Sequence, residues 1–159
     1  GLGSHRLCGK PTLVVSTITG GVSINMVPAH AAIEIDRRLI PGEDPQTARQ
    51  HAIDFIAEQT GLAEAIEHDP PYRAMVGLDD ANNGNLAERL LGAARATEPG
   101  SSIIGVPYGT DASVIAASGV PTVVYGPGSI DQAHTKDEWI EIAQLEKAAE
   151  IYYRFATGK

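Results

Sequence analysis

The side chain best suited to chemistry in this chain is His134, in the run Gly126-Pro127-Gly128-Ser129-Ile130-Asp131-Gln132-Ala133-His134-Thr135-Lys136-Asp137-Glu138, directly after the apolar stretch Pro121-Thr122-Val123-Val124-Tyr125. A neutral imidazole on a loop beyond the carboxyl end of a buried strand suits a metal ligand, but zinc needs three or four protein ligands in a defined geometry. His5, His30, His51 and His68 show no ligand spacing to it or to one another, and HExxH, CxxC and His-x-Asp are absent. His134 therefore reads as one part of a metal site whose remainder lies outside these residues. A solvated or hydrogen-bonded loop histidine is the plainer account, and Thr135 with Glu138 matches a helix capping box that explains its neighbours without a ligand.

Arg38 offers a second kind of chemistry. It shares the polar side of a predicted strand with Glu34 and Asp36. Its guanidinium fork suits a substrate carboxylate, a charge-assisted contact that contributes roughly 1.5 to 3 kcal/mol. A surface ion pair contributing on the order of 0 to 1 kcal/mol explains it equally. The loop Val106-Pro107-Tyr108-Gly109-Thr110-Asp111-Ala112 sits at a predicted strand-to-helix junction, where free N–H groups attract anions and Gly109 allows close backbone approach. There too a cap formed by Asp111 or Thr110 accounts for the residues, and the loop gains a function only in association with His134. Asn25, between Gly20-Gly21 and Pro28, fits a turn residue that tolerates a left-handed backbone.

These residues need elements to position them. The β-branched run 12–18 predicts a strand that stops at a tight turn around Gly20-Gly21. In residues 32–39, Ile33, Ile35 and Leu39 alternate with Glu34, Asp36 and Arg38, the pattern of a half-buried antiparallel strand. Asp44 then offers an N-cap with Pro45 at the first helical position, and Ala48, Ala52, Phe55 and Ile56 recur at helical spacing up to Gly61. Residues 62–75 allow one more strand, interrupted by Pro70-Pro71, with a domain boundary near 70–80. Beyond it the order becomes helix (around Leu86 to Ala94), strand (102–106), helix (from Asp111 to Ser118), strand (120–125) and a terminal amphipathic helix marked by Leu145, Ala148, Ala149, Tyr152 and Ala156. Such alternation predicts an α/β sheet with the last two strands parallel, and ligands gather outside the carboxyl ends of such strands.

Composition excludes several function classes. At 159 residues the chain can bury roughly 68 to 70% of its unfolded surface, enough for one domain or two small ones. A net charge of −8 without a basic stripe argues against nucleic acid. No apolar stretch approaches the length of a membrane span, and the single cysteine, Cys8, excludes an intrachain disulfide and fits a reducing, cytoplasmic setting. The start, Gly1-Leu2-Gly3-Ser4, carries no initiator Met or targeting signal and reads as a cut end.

Taken together, the motifs resemble the co-catalytic zinc metallopeptidase and amidohydrolase family that contains acetylornithine deacetylase, succinyl-diaminopimelate desuccinylase, aminoacylase and carboxypeptidase G. Four segments match in order: Gly20-Gly21-x-x-x-Asn25-x-x-Pro28, Asp36-x-Arg38-x-x-Pro41-Gly42, Gly109-Thr110-Asp111-Ala112, and Gly126-Pro127-Gly128 followed by Ala133-His134-x-x-x-Glu138. The resemblance implies that residues 1 to about 75 are the second half of a two-layer α+β lid or dimerisation domain. Residues 76–159 then correspond to the carboxyl-terminal part of an α/β zinc-peptidase catalytic domain. It also implies that His134 is the last metal ligand, that Arg38 grips the substrate carboxylate, that Asn25 reaches toward a neighbouring active site in a homodimer, and that Gly109 and Thr110 line the substrate pocket.

The family's His-x-Asp motif, bridging Asp, adjacent Glu pair and second lid histidine are not in this sequence. The expectation is therefore a fragment of a zinc-dependent hydrolase, with cobalt or manganese as alternative metals and most ligands outside the chain. It would act on N-acyl amino acids or small peptides and be inactive alone. Two other classes stay open: a non-catalytic module that holds a small carboxylate through Arg38 and the loop near Thr110, and a dimerisation element.

Overall fold

The computed structural model describes residues 3–158. The chain divides into two compact units, Gly1–Leu78 with Gly105–Thr110, and Asp79–Ile104 with Asp111–Lys159. Its described elements are strands β1 (Thr12–Gly20) and β2 (Ala31–Arg38), helices α1 (Pro45–Thr60), α2 (Gly84–Thr97), α3 (Ala112–Ala117) and α4 (Ile142–Thr157), and a 3-10 turn at Ala63–Ala65. This is a small α/β chain with a two-stranded antiparallel sheet and four α-helices among the described residues.

In the first unit β1 and β2 pair from Thr12 opposite Arg38 to Gly20 opposite Ala31, with an irregularity between Val15 and Thr17. Ser16 is the extra residue, and its hydroxyl donates to the Glu34 carbonyl at 3.1 Å. A bulge re-phases the side-chain alternation of its strand. Leu13 and Val15 therefore share a face with Arg37 and Ile35, and beyond the bulge Ile18, opposite Ile33, joins that same face. The other face carries Thr12, Val14, Thr17 and Thr19 against Arg38, Asp36, Glu34 and Ala32.

Two expectations change here. The apolar face is not half-buried, ranging from 37% exposed at Ile35 to 76% at Ile18, because a lone pair of strands has no second layer with which to cover a face. The tight turn at Gly20-Gly21 is instead the long connection 21–30, whose Val22, Ile24, Met26 and Val27 are all exposed.

The path from β2 into α1 is fixed by charge and by capping. Arg37 Nη2 meets Glu43 Oε1 at 2.6 Å, and Glu43 Oε2 accepts the Ile40 N–H at 3.0 Å, which turns the chain while Ile40 is buried. Asp44 then caps α1 by accepting the Thr47 N–H at 2.8 Å and its hydroxyl at 2.9 Å, with Pro45 in the first turn and Gly61 closing the helix at φ 67°. The Thr47 backbone bond, with the Thr47 hydroxyl, holds the Asp44 carboxyl below the usual carboxylate range. A carboxyl with a depressed folded-state pKa contributes stability that is complete above its unfolded value, about 3.9, and is lost as pH falls through the lower folded value. Asp44→Ala is accordingly expected to lower the helical stability of α1 at neutral pH, with the gap to the wild type closing under strong acid. Far-UV circular dichroism in urea at several pH values measures this, and a gap that persists unchanged at pH 2 contradicts it.

Past Gly61 the predicted strand over 62–75 does not form. Its place is taken by the 3-10 turn and irregular chain through Pro70-Pro71, where missing N–H groups forbid a ladder. Arg49 from α1 holds this stretch, with Nη2 donating to the His68 and Asp69 carbonyls at 3.0 and 3.1 Å. Gly105 packs under the turn closed by the His5–Gly9 bridge. A Cβ there would stand 2.6 Å from the Leu7 carbonyl carbon and 2.9 Å from Cys8 Sγ, so only glycine fits.

In the second unit α2 and α4 pack against one another. Ala94 on α2 and Ala148 and Ile151 on α4 are buried at 5%, 3% and 1% exposure, so the buried side chains of this pair are two alanines and one large aliphatic group. The Arg89 guanidinium lies 5.2 Å from the Phe155 ring centroid across the same seam. The parallel sheet expected from 102–106 and 120–125 is absent among the described residues, since strands need a neighbour to supply ladder hydrogen bonds. The second segment is tied by side chains instead: Asn83 Oδ1 accepts the Thr122 N–H at 2.7 Å, and Tyr152 donates its hydroxyl to the Tyr125 carbonyl at 2.8 Å with the two rings edge-on. Asp111 precedes α3 as expected, yet its side chain makes no capping bond. Its carbonyl accepts the Val114 and Ile115 N–H groups at 3.0 and 3.1 Å. Among the described residues no helix is long and apolar enough to cross a membrane.

Candidate functional site

His134 stands in a turn after Gly126-Pro127-Gly128 with φ 60°, the one left-handed non-glycine residue among those described. A left-handed backbone costs a residue with a Cβ roughly 1 to 2 kcal/mol, so something must hold it. Glu138 does so, with Oε2 accepting the His134 N–H at 3.0 Å, and Thr135 Oγ1 donates to the Gln132 carbonyl at 2.8 Å. The capping box expected from Thr135 and Glu138 is not formed. Glu138 reaches past Thr135 to His134, and no helix starts until α4 at Ile142. The result is an exposed imidazole on a braced turn.

The sequence already held the signal for this brace in the four-residue spacing of His134 and Glu138, but assigned Glu138 to a different backbone N–H. The described residues contain no group of three His, Cys, Asp or Glu side chains able to hold a metal ion. One imidazole does not satisfy zinc, which takes three or four protein ligands, so these residues alone do not fit a zinc centre.

Arg38 lies on the polar face of β2, about half exposed. Its Nε donates to Asp36 Oδ2 at 2.9 Å and its Nη2 lies 2.8 Å from the same oxygen. The surface ion pair anticipated as one account of Arg38 is therefore present, formed with Asp36 two residues back on the same face. Glu34, the other carboxylate of that face, is engaged by Thr17 Oγ1 at 2.8 Å. Asn25 sits in the exposed 21–30 connection, in a turn closed by the Met26 N–H on the Ser23 carbonyl at 3.3 Å, and its Oδ1 accepts the Ser23 hydroxyl at 2.5 Å. Its backbone is not left-handed, so the turn does not use the tolerance expected of it.

Gly109 is exposed, with open space where a Cβ would be, and Thr110 is half-buried. Both belong to the compact unit that also carries Asn25 and Arg38, whereas His134 belongs to the other. A depression in the second unit lined by Thr97, Glu98, Pro99, Gly100, Ser101 and Lys147 contains none of these residues, and its Lys147 ammonium is paired with Glu98 at 2.8 Å.

Comparison with known proteins shows the family. Residues 8–158 match the family model described as peptidase family M20/M25/M40. A probable carboxypeptidase of Emericella nidulans is 32% identical over 161 aligned residues, covering 99% of this chain and 36% of the relative. A putative succinyl-diaminopimelate desuccinylase of Mycobacterium tuberculosis is 33% identical over 143 residues, covering 89% of this chain and 37% of the relative. An N-acetyl-L-citrulline deacetylase of Xanthomonas campestris is 30% identical over 148 residues, covering 91% and 38%. The chain thus spans little more than a third of the length of these curated relatives. A match running over nearly every residue, through the Asn25, Arg38, Gly109-Thr110 and His134 segments alike, makes this chain a member of peptidase family M20/M25/M40.

Proposed function

We propose that this chain is the carboxyl-terminal portion of a metal-dependent amidohydrolase that cleaves the amide bond of N-acyl amino acids or small peptides, and that the portion alone has no turnover. The family match over residues 8–158 carries the reading. The relatives named carboxypeptidase, desuccinylase and deacetylase have in common the hydrolysis of an acyl–nitrogen bond. In this reading residues 1 to about 75 belong to the lid and 76–159 to the catalytic domain. His134 is the single ligand this chain contributes to zinc, or to cobalt or manganese in its place, and the other ligands and the general base lie elsewhere in the longer protein.

Each named residue then has a role at its own atoms. Arg38 binds the substrate carboxylate with its guanidinium fork. Gly109 lets the backbone come close to the acyl or amino acid part, and Thr110 orients it. Asn25 reaches the neighbouring site in a homodimer formed through the lid. The membership of 105–110 in the same compact unit as Asn25 and Arg38 supports a shared substrate-handling role for these groups. The left-handed backbone at His134, held by Glu138, supports a side chain placed for a purpose, since strain of this kind concentrates at functional sites.

Mixing the chain with a separately produced amino-terminal portion of the Mycobacterium tuberculosis relative, in the presence of zinc, tests the proposal. Release of the acyl group from N-succinyl or N-acetyl amino acids is expected from the mixture, none from either part alone, and loss to background with His134→Asn, which tolerates the left-handed backbone. Turnover by the 159 residues alone, or turnover by the mixture that is indifferent to His134→Asn, would overturn it.

A further inference from the structure

One carboxylate-binding edge of Arg38 is already occupied. Its Nε and Nη2 both address one oxygen, Asp36 Oδ2, at 2.9 and 2.8 Å. That edge of the guanidinium is one of those that receive a carboxylate in a bidentate contact. The arrangement follows from the strand. Asp36 and Arg38 are two residues apart and so share a face of β2, and their directly opposite neighbours on β1, Val14 and Thr12, carry no charge to compete for either. Glu34, next along the face, is engaged by Thr17 Oγ1 at 2.8 Å.

We propose that Asp36 is an internal competitor for the substrate carboxylate at Arg38, a residue that holds the guanidinium until a carboxylate displaces it and so sets how tightly carboxylates bind there. The inference rests on the reading of Arg38 as the carboxylate-binding group. Both side chains are about half exposed, 54% for Arg38 and 49% for Asp36, so an incoming ligand can reach the pair and water weakens it. An exposed pair of this kind is weak enough to exchange. While it is closed, the binding-competent fraction of Arg38 falls, and apparent affinity falls in proportion. A small carboxylate that makes only this one contact gains little by displacing Asp36. An N-acyl amino acid or peptide that also contacts other groups displaces it. Asp36 thereby lowers the affinity of every carboxylate by the same factor, and only a ligand with further contacts offsets that loss.

The test is a nuclear magnetic resonance titration of the whole chain with N-acetyl-L-alanine, following the Arg38 Nε–H signal and the dissociation constant. Asp36→Asn, which is nearly isosteric, is expected to bind about two- to fivefold more tightly than the wild type. Asp36→Ala serves as a second variant, and circular dichroism checks that both fold. The gain is expected to vanish when Arg38→Ala is added, and to be absent for N-acetyl-L-alaninamide, which has no carboxylate.

Failure of Asp36 and failure of Arg38 look different. Unchanged or weaker binding by both Asp36 variants, with binding still lost in Arg38→Ala, overturns the competitor role and leaves Arg38 as the carboxylate group. Binding indifferent to Arg38→Ala, or no binding in any variant, overturns the reading of Arg38 and with it this inference.

Discussion

Ile151→Ala is expected to destabilise the unit that contains α2 and α4 by about 2 to 5 kcal/mol, the range for removing a branched apolar side chain from a packed core. Ile151 is the one large side chain among the described residues that is almost wholly buried, at 1% exposure. The other buried side chains of α2 and α4, Ala94 and Ala148, are too small to fill a void. With so little buried side chain on the two helices to collapse into the space, the cost is expected toward the upper part of the range. Chemical denaturation followed by far-UV circular dichroism measures it, because α2 and α4 supply most of the helix in that unit. Ile142→Ala, on the same helix but 74% exposed, is the control and is expected to stay within about 0.5 kcal/mol of the wild type. Equal effects at the two positions would show that the α2–α4 seam is not what holds the unit together.

Asn83→Ala comes next in expected size, at about 2 to 3 kcal/mol, because it removes two hydrogen bonds and leaves a backbone N–H without a partner. The Asn83 side chain is buried, at 4% exposure. Its Nδ2 donates to the Asp79 carbonyl and its Oδ1 accepts the Thr122 N–H, so one amide joins the turn before α2 to a segment thirty-nine residues further along the chain. Thr122 begins the stretch that leads to Gly126 and on to His134, so loosening it acts on the approach to the candidate ligand. Amide hydrogen exchange at Thr122 is the direct measurement, with faster exchange expected in Asn83→Ala together with the lower denaturation midpoint. Asn83→Asp keeps an acceptor for Thr122 but sets a carboxylate against the Asp79 carbonyl, so it is expected to retain part of the Thr122 protection while still destabilising the unit. Unaltered Thr122 exchange in Asn83→Ala would mean that another group holds that strand-like segment.

The parts of the fold legible from residue order are those whose cause lies within a few residues. Asp44, Pro45 and Gly61 bound α1 because a cap, a fixed φ and a left-handed terminus are local properties. The alternation in residues 32–39 placed Glu34, Asp36 and Arg38 on one side of β2, where the register puts them. The apolar runs at 102–106 and 120–125 misled for a matching reason. A β-branched run states that a segment suits a ladder, whereas the ladder itself depends on a neighbour that no local pattern supplies. The candidate site divides the same way. Residue types and order pointed to Asn25, Arg38, Gly109, Thr110 and His134, and offered an ion pair for Arg38, but did not say which carboxylate forms it or that Glu138 holds the His134 N–H.

Sequence by itself determined the family, the helices and the polarity of the two strand faces. Those follow from side-chain identity at short spacing, and the motif segments retain their order whatever the rest of the chain does. Tertiary structure alone decided that Ser16 bulges and turns Ile18 onto the face of Leu13 and Val15, and that Gly105 closes under Leu7 and Cys8. It alone decided that Glu138 braces His134 in a left-handed turn and that Asp36 rather than Glu34 pairs with Arg38. Each of these depends on which of several nearly equivalent partners a group meets, and differences of about 1 kcal/mol between hydrogen-bonding alternatives are settled by three-dimensional proximity rather than by residue type.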